Sequence, residues 1–129
     1  MAWVEIVTLL AVIQFVAFGF LVGRARGQHG VKAPATTGNE TFERYFRVHM
    51  NTLETLVAFL PSLWIAALFW SPPLVAGIGA FYLIGRQIYL TSYVRDPASR
   101  SAGYGLSFLP MAVLALGGLY GAVRSLLLH

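Results

Sequence analysis

The sequence predicts an all-α integral membrane protein, folded as one domain of four transmembrane helices over residues 1–129. Of the 129 residues, 57% are hydrophobic and only 11% are charged. The apolar residues form long blocks instead of recurring at amphipathic spacing, which is atypical of a soluble domain. A bilayer core needs about 20 apolar residues per helix. The chain offers four such spans, at residues 3–23, 44–70, 74–93 and 104–128.

The first span is expected to be a transmembrane helix and not a cleaved leader. A secretory signal peptide begins with a short basic stretch and ends at a cleavage site of small residues. Here the first charged residue is Glu5, and the apolar run is followed by Arg24 and Arg26. This order of charges indicates an uncleaved span.

Three segments of different composition connect the spans. Residues 27–41 form the one extended polar loop, rich in glycine, proline and threonine and without periodicity. Residues 71–73 (Ser-Pro-Pro) predict a tight turn, because proline is tolerated in the first turn of a helix but not in its interior. In residues 95–103, Asp96 precedes Pro97 and is therefore biased out of the helical region, which predicts a second turn.

The basic residues predict how the bundle is oriented. Five of the nine lie around the connection of the first two spans and three around that of the last two, whereas Arg124 lies at the opposite end. By the positive-inside rule both connections face the cytoplasm, as expected for a bacterial inner-membrane protein, and the termini lie on the far side. The net charge of +4 is thereby explained without a nucleic-acid partner.

The second span begins with a row of polar side chains. The uninterrupted apolar run of residues 57–70 is too short to cross a bilayer, so the helix must extend backwards into the polar segment. One helical face then carries four polar residues, spaced three, four and three apart: Arg44, Arg47, Asn51 and Glu54. The third span repeats the spacing with Arg86, Tyr89 and Tyr93.

Two polar faces at one depth predict a pocket between the helices, since an arginine facing lipid near mid-membrane costs about 2.5–3.5 kcal/mol on insertion scales. The plain alternative is internal contact: Glu54 neutralises one arginine, Asn51 bonds across helices, and arginines near the interface extend to lipid headgroups. The arginines nevertheless outnumber Glu54. Because arginine forms paired hydrogen bonds with carboxylates, this excess favours an anionic ligand.

Two motifs resemble the signature of a known family. They are residues 36–64, TTGNETFERYFRVHMNTLETLVAFLPSLW, and residues 85–103, GRQIYLTSYVRDPASRSAG. The family is MAPEG, the membrane-associated proteins in eicosanoid and glutathione metabolism, and chain length and helix layout agree with it. The likeness is greatest to the microsomal glutathione transferase and leukotriene-forming branch, in a bacterial-type member with short termini. It implies a homotrimer that binds glutathione, as co-substrate, between adjacent subunits near the cytoplasmic side.

The resemblance also implies roles for particular residues. Six match glutathione contacts: Arg26, Arg47, Asn51, Glu54, Tyr89 and Tyr93. Arg26 would hold a glutathione carboxylate from the end of the first helix, and Arg100 falls where the family places the arginine that stabilises the thiolate. Arg44 and Arg86 would support the site from behind.

Two positions depart from the family pattern. Thr55 stands where several members carry a tyrosine, which removes one hydrogen bond to the tripeptide. His49 stands where some relatives carry a glutamine contact, and it lies off the polar face of the second span.

The implied chemistry suits a chain without cysteine, because glutathione brings its own sulfur. A free thiol has a pKa of roughly 8.5 and is little ionised at neutral pH, whereas a nearby arginine favours the thiolate. The thiolate would attack a lipophilic electrophile in the bilayer or, as a peroxidase, reduce a lipid hydroperoxide. No metal is expected, because His29 and His129 have no carboxylate or cysteine at ligand spacing.

Two other classes of function remain. One is a non-enzymatic lipid-binding or scaffold protein of the same fold, as in the arachidonate-presenting branch of the family. That branch lacks the thiolate-stabilising arginine, so Arg100 favours catalysis. The other is a small transporter or channel subunit. It is disfavoured because the positive charge lies at one leaflet and the first and fourth spans have few polar residues to complete a passage.

Overall fold

The computed structural model of the protein describes residues 1–128, so that His129 lies outside the described residues. It contains four long helices, each long and apolar enough to cross a membrane, which confirms the predicted all-helical layout. They are α1 (Ala2–His29), α2 (Glu40–Phe69), α3 (Pro72–Arg95) and α4 (Ser101–Leu127), with a short 3-10 turn at Pro97–Ser99.

The first helix runs six residues beyond its predicted end at residue 23. Arginine and glutamine are good helix formers, so the polar end of the span continues the helix instead of starting the loop. The helix stops at Gly30, which has the left-handed conformation (φ 67°, ψ 27°) that glycine adopts without steric cost. The polar loop is therefore shorter than predicted.

The second helix begins four residues before its predicted start at residue 44, because Asn39 caps it. The Oδ1 atom of Asn39 accepts a hydrogen bond of 2.9 Å from the backbone N–H of Phe42, one of the donors that a helix start leaves free. The resulting 30-residue helix is about 45 Å long. Since a bilayer's hydrocarbon core is about 30 Å thick, α2 is long enough to cross it and still extend its polar first turns towards the membrane boundary.

An apolar core joins all four helices in the half of the bundle away from the polar segments. Val4, Phe59, Leu63, Val75 and Leu114 are nearly or completely buried in it. The outer surface is also apolar, and α1 in particular exposes large hydrophobic side chains along its length. Such a surface is suited to contact with lipid.

Helices α3 and α4 touch backbone to backbone at two glycines. A Cβ atom at Gly85 would lie only 2.5 Å from the backbone nitrogen of Ser107, and one at Gly103 only 2.5 Å from that of Tyr89. Small residues allow this closeness in membrane helix pairs. The contact fixes the start of α4 against the polar end of α3.

Arg44 attaches α2 to the end of α3. Its Nη1 atom donates hydrogen bonds to the backbone oxygens of Val94 (3.0 Å) and Arg95 (3.3 Å). These carbonyls belong to the last turn of α3, where the helix itself offers no N–H donor to its carbonyl oxygens. The other guanidinium nitrogen, Nη2, forms an ion pair with Glu40. Arg44 thus holds the segment that leads to the turn before Arg100.

Replacing Gly85 with alanine should lower the melting temperature of the detergent-solubilised protein. The new methyl group would overlap the α4 backbone at Ser107, and overpacking of this kind costs about 1–3 kcal/mol. Gly77→Ala is the matched control on the same helix, because a Cβ there meets nothing within 4 Å. Equal melting temperatures for the two variants would contradict the close contact.

Replacing Arg44 with methionine should speed amide hydrogen exchange in residues 94–100, because the end of α3 loses its hydrogen bonds to α2. Arg24→Met serves as control, since Arg24 is exposed near the end of α1. Exchange measured by mass spectrometry should change in this segment for Arg44→Met alone. Identical exchange in both variants would show that Arg44 does not hold the segment.

Candidate functional site

A cavity of about 660 Å³ opens at the basic end of the bundle, between α2, α3 and the start of α4. Five of the seven site residues predicted from the sequence line it: Arg47, Asn51, Tyr89, Tyr93 and Arg100. The other two, Arg26 and Glu54, are not lining residues, although Glu54 contacts Arg47 beside the cavity. The predicted pocket between polar helix faces is therefore present, with α4 as an additional wall.

Helical spacing explains how these side chains come together. Arg47 and Asn51 are one turn apart on α2, and Tyr89 and Tyr93 are one turn apart on α3. The rings of the two tyrosines have centroids 5.5 Å apart and form an aromatic wall. Arg100 reaches the same cavity because the glycine contact holds the start of α4 against α3.

Tyr104 is a lining residue that the sequence analysis missed, together with Ser101 and Gly105. Its ring centroid is 6.2 Å from that of Tyr89, so it extends the aromatic wall onto α4. The signal that could have found it is its position four residues after Arg100, one helical turn further on.

The cavity is electropositive. Arg47 and Arg100 both line it, and the cavity has no carboxylate among its lining residues in the described part of the chain. Nη1 of Arg47 lies 3.6 Å from Oε1 of Glu54, but both side chains are more than half exposed, so this ion pair is weak. Nη1 of Arg100 donates to the backbone oxygen of Pro97 (3.0 Å), which leaves other N–H groups of this guanidinium available.

Arg86 does not join Tyr89 and Tyr93 in lining the cavity, although it shares their helical spacing. It is completely buried behind the cavity. Its guanidinium donates to Oδ1 of Asn51 (2.7 Å) and to Oγ of Ser107 (2.8 Å). Its Cζ atom lies 4.4 Å from the centroid of the Tyr89 ring. This position agrees with the supporting placement expected for Arg86.

Arg26 lies at the end of α1, away from the cavity lining. Its Nη1 atom donates to the backbone oxygen of Ala35 at 2.8 Å, and its guanidinium carbon lies 4.7 Å from the centroid of the Phe42 ring. Within one chain, Arg26 therefore holds the α1–α2 loop. The structure does not bring it together with Arg100.

His49 and Thr55, which depart from the family pattern, also lie away from the cavity. The ring of His49 stacks on that of Phe15, with centroids 4.4 Å apart, between α2 and α1. Thr55 is buried and shares a hydrogen bond of 2.8 Å with the hydroxyl of Tyr82. Among the described residues, no group of three or more histidine, aspartate or glutamate side chains is arranged to hold a metal ion.

The cavity is suited to a ligand that carries carboxylates and hydrogen-bond acceptors. Its two arginines can each form paired hydrogen bonds with a carboxylate, and its tyrosines add hydroxyl donors and flat apolar faces. Its volume lies in the range of small-molecule sites.

The sequence model of the MAPEG family matches residues 4–120 of the chain. An uncharacterized protein of Synechocystis sp. is 43% identical over 91% of this chain and 85% of its own length. Microsomal glutathione S-transferase 2 of Homo sapiens is 34% identical, over 94% of this chain and 82% of its own length. Leukotriene C4 synthase of Bos taurus is also 34% identical, over 95% of this chain and 93% of its own length.

These relatives agree with the branch that the two motifs indicated, and the cyanobacterial one agrees with a bacterial-type member. The match extends through all four helices, from residue 4 in α1 to residue 120 in α4. The chain therefore belongs to the MAPEG family of membrane proteins.

Proposed function

We propose that the protein is a membrane-embedded glutathione transferase, which binds glutathione in the cavity and activates its thiol for attack on lipophilic electrophiles. The observation that carries this proposal is the convergence of Arg47, Asn51, Tyr89, Tyr93 and Arg100, which come from two sequence motifs, on one electropositive cavity. The names of two relatives, a microsomal glutathione S-transferase and a leukotriene C4 synthase, support the same class of activity.

The cavity walls suit the groups of glutathione. The tripeptide carries two carboxylates, which arginine binds through paired hydrogen bonds, and Arg47 offers such a guanidinium. Asn51 can bond to the peptide backbone, and the Tyr89 and Tyr93 rings give it a flat surface. Glu54, beside Arg47, would accept hydrogen bonds from the ammonium group, which is attached to the same carbon as one of the two carboxylates.

Arg100 is the proposed catalytic residue. A cation beside the bound thiol lowers its pKa, because it stabilises the thiolate relative to the neutral form. A shift of about 2 units corresponds to about 2.7 kcal/mol. The thiolate sulfur then forms a bond to the electrophilic carbon as the leaving group departs with its electron pair. In the peroxidase reaction the thiolate sulfur takes the terminal hydroperoxide oxygen as the O–O bond breaks, which releases the alcohol after protonation and leaves a glutathione sulfenic acid. The thiol of a second glutathione then displaces the oxygen as water and forms the disulfide.

The site of a single chain is incomplete, and we propose that a homotrimer completes it. The cavity is open to one side, and the side chains of Arg47 and Glu54 are 55% and 61% exposed in a helix of predicted membrane-spanning length. Arg26 lies away from the cavity of its own chain. An adjacent subunit would cover the open side and supply its own Arg26 to a glutathione carboxylate.

The proposed orientation places the cavity at the cytoplasmic face of a bacterial inner membrane. Arg47 and Arg100 belong to the basic end of the bundle, which the positive-inside rule assigns to the cytoplasm. Glutathione would enter from water on this side, and the electrophile from the lipid.

Replacing Arg100 with alanine should raise the pKa of bound glutathione from its lowered value back towards about 8.5. For a shift of 2 units, the thiolate fraction at pH 7 falls about 25-fold, and the conjugation rate falls with it. The rate of the variant should then rise as the pH is raised towards 9, where wild type is already saturated. Thiolate absorbance on mixing glutathione with the purified protein measures the first effect directly.

Arg95→Ala is the matched control for that experiment, because Arg95 is exposed at the same end of the bundle and lies outside the cavity lining. It should leave the thiolate signal unchanged. Equal signals from Arg100→Ala and wild type would remove Arg100 from the reaction. If glutathione binds to neither protein, the transferase proposal fails and the lipid-binding scaffold of the same fold takes its place.

Co-expression of two defective chains tests the shared site. If each site takes Arg26 from one subunit and Arg100 from the next, mixing Arg26→Ala and Arg100→Ala chains equally should restore about a quarter of the sites, because random assembly pairs the two intact residues at that frequency. Conjugation by the co-purified mixture should exceed that of either variant alone. Activity no higher than the mean of the two parents would show that each site uses one chain's residues only.

A further inference from the structure

Arg86 carries a buried charge and makes no contact with the ligand in the proposed function. Its side chain has no exposed surface, and it lies inside a bundle of apolar helices. Burying a guanidinium is expensive unless its donors are satisfied. Plain helix packing at this position would be served at lower cost by an apolar side chain.

The partners of Arg86 are neutral oxygen atoms on two other helices. Its Nη1 atom donates to Asn51 Oδ1 (2.7 Å) and Thr52 Oγ1 (3.3 Å) on α2, and its Nη2 atom donates to Ser107 Oγ (2.8 Å) on α4. In residues 1–128, the acid–base ion pairs are those of Arg44 and Arg47, so Arg86 is not held by a carboxylate. Among these partners, Asn51 is the one that also lines the cavity.

The bond from Arg86 determines which way the Asn51 amide points. An asparagine side chain has an oxygen that accepts and a nitrogen that donates, and the two ends can exchange by rotation. Arginine has donors only, so the end of Asn51 that faces Arg86 must be the oxygen. The Nδ2 donor group is then the end left for the cavity.

We propose that Arg86 is a positioning residue, which holds Asn51 so that its amide nitrogen, and not its oxygen, faces the ligand. The Asn51 side chain then binds an acceptor of the ligand, either a peptide carbonyl or a carboxylate oxygen. Arg86 also lies against the ring of Tyr89, 4.4 Å from its centroid, and so supports a second wall of the same cavity. This inference rests on the proposed binding of glutathione.

A double-mutant cycle tests whether Arg86 acts through Asn51. The variants are Arg86→Met, Asn51→Ala and the double variant, and the dissociation constant of glutathione is measured by calorimetry in detergent. Each single variant should weaken binding roughly tenfold, the value of one hydrogen bond to a charged or strongly polar group. The double variant should bind nearly as Asn51→Ala does, because the hydrogen bond to Asn51 is already absent there and methionine is long enough to keep the contact with the Tyr89 ring.

The proposal would be overturned if Arg86→Met weakened glutathione binding as much in the Asn51→Ala background as in wild type. Arg86 would then act through its charge or through the fold. Thr55→Val controls for the loss of a buried hydrogen bond as such, because it removes the Thr55–Tyr82 bond away from the cavity. It should lower the melting temperature and leave the dissociation constant within about twofold of wild type.

Asn51→Asp tests the orientation while it keeps a hydrogen-bond acceptor for Arg86. The aspartate keeps an oxygen towards Arg86 and presents a second oxygen, in place of the amide nitrogen, to the cavity. It should therefore bind glutathione at least threefold more weakly than Asn51→Ala does. Binding equal to or tighter than that of Asn51→Ala would show that an oxygen already faces the ligand. If wild type binds no glutathione, the proposed function fails as well, whereas a failure confined to the variants overturns the positioning role alone.

Discussion

The backbone contact between α3 and α4 is the constraint on which the rest of the site depends. At Gly85 and Gly103 the two helices approach more closely than any side chain would permit. Gly85 precedes Arg86 and Gly103 precedes Tyr104, so the contact sets the positions of residues behind the cavity and on its wall. It also determines where the turn between the helices must place Arg100.

The buried polar network behind the cavity follows from that closeness. Ser107 can meet Arg86 because α4 is in contact with α3, and Arg86 in turn reaches Asn51 on α2. Three helices are thereby joined by hydrogen bonds close to a cavity lined by side chains from the same three helices. A site assembled from separate helices needs this kind of cross-connection to keep its geometry.

Local periodicity was sufficient to predict the faces of α2 and α3 that line the cavity. Arg47 and Asn51 share a face because they are one turn apart, and this holds whatever surrounds the helix. The same rule placed Arg86 with Tyr89 and Tyr93, but it could not show that Arg86 is buried. Burial depends on a neighbouring helix that presents Ser107, which is information from the tertiary structure.

The orientation of α4 and the helix ends escaped prediction for physical reasons. Tyr104 becomes a wall of the cavity only once α4 is docked, and hydropathy says nothing about that rotation. The ends of α1 and α2 are set by Gly30 and Asn39, whereas the predicted limits followed the apolar runs. Arg26 poses a different question, because in the proposed trimer it would complete a site whose other residues belong to another copy of the chain.

The excess length of α2 has a consequence for the chemistry that the cavity can perform. A helix about 45 Å long exceeds the hydrocarbon thickness of about 30 Å, so α2 can extend its polar segment, which carries Arg47 and Asn51, towards the boundary between lipid and water. In the proposed function, the two reactants never share a bulk solvent, because glutathione is dissolved in water and the electrophile in the lipid bilayer. The protein would then act as a phase-transfer catalyst, and its turnover would follow the concentration of the electrophile in the membrane instead of its concentration in the cell.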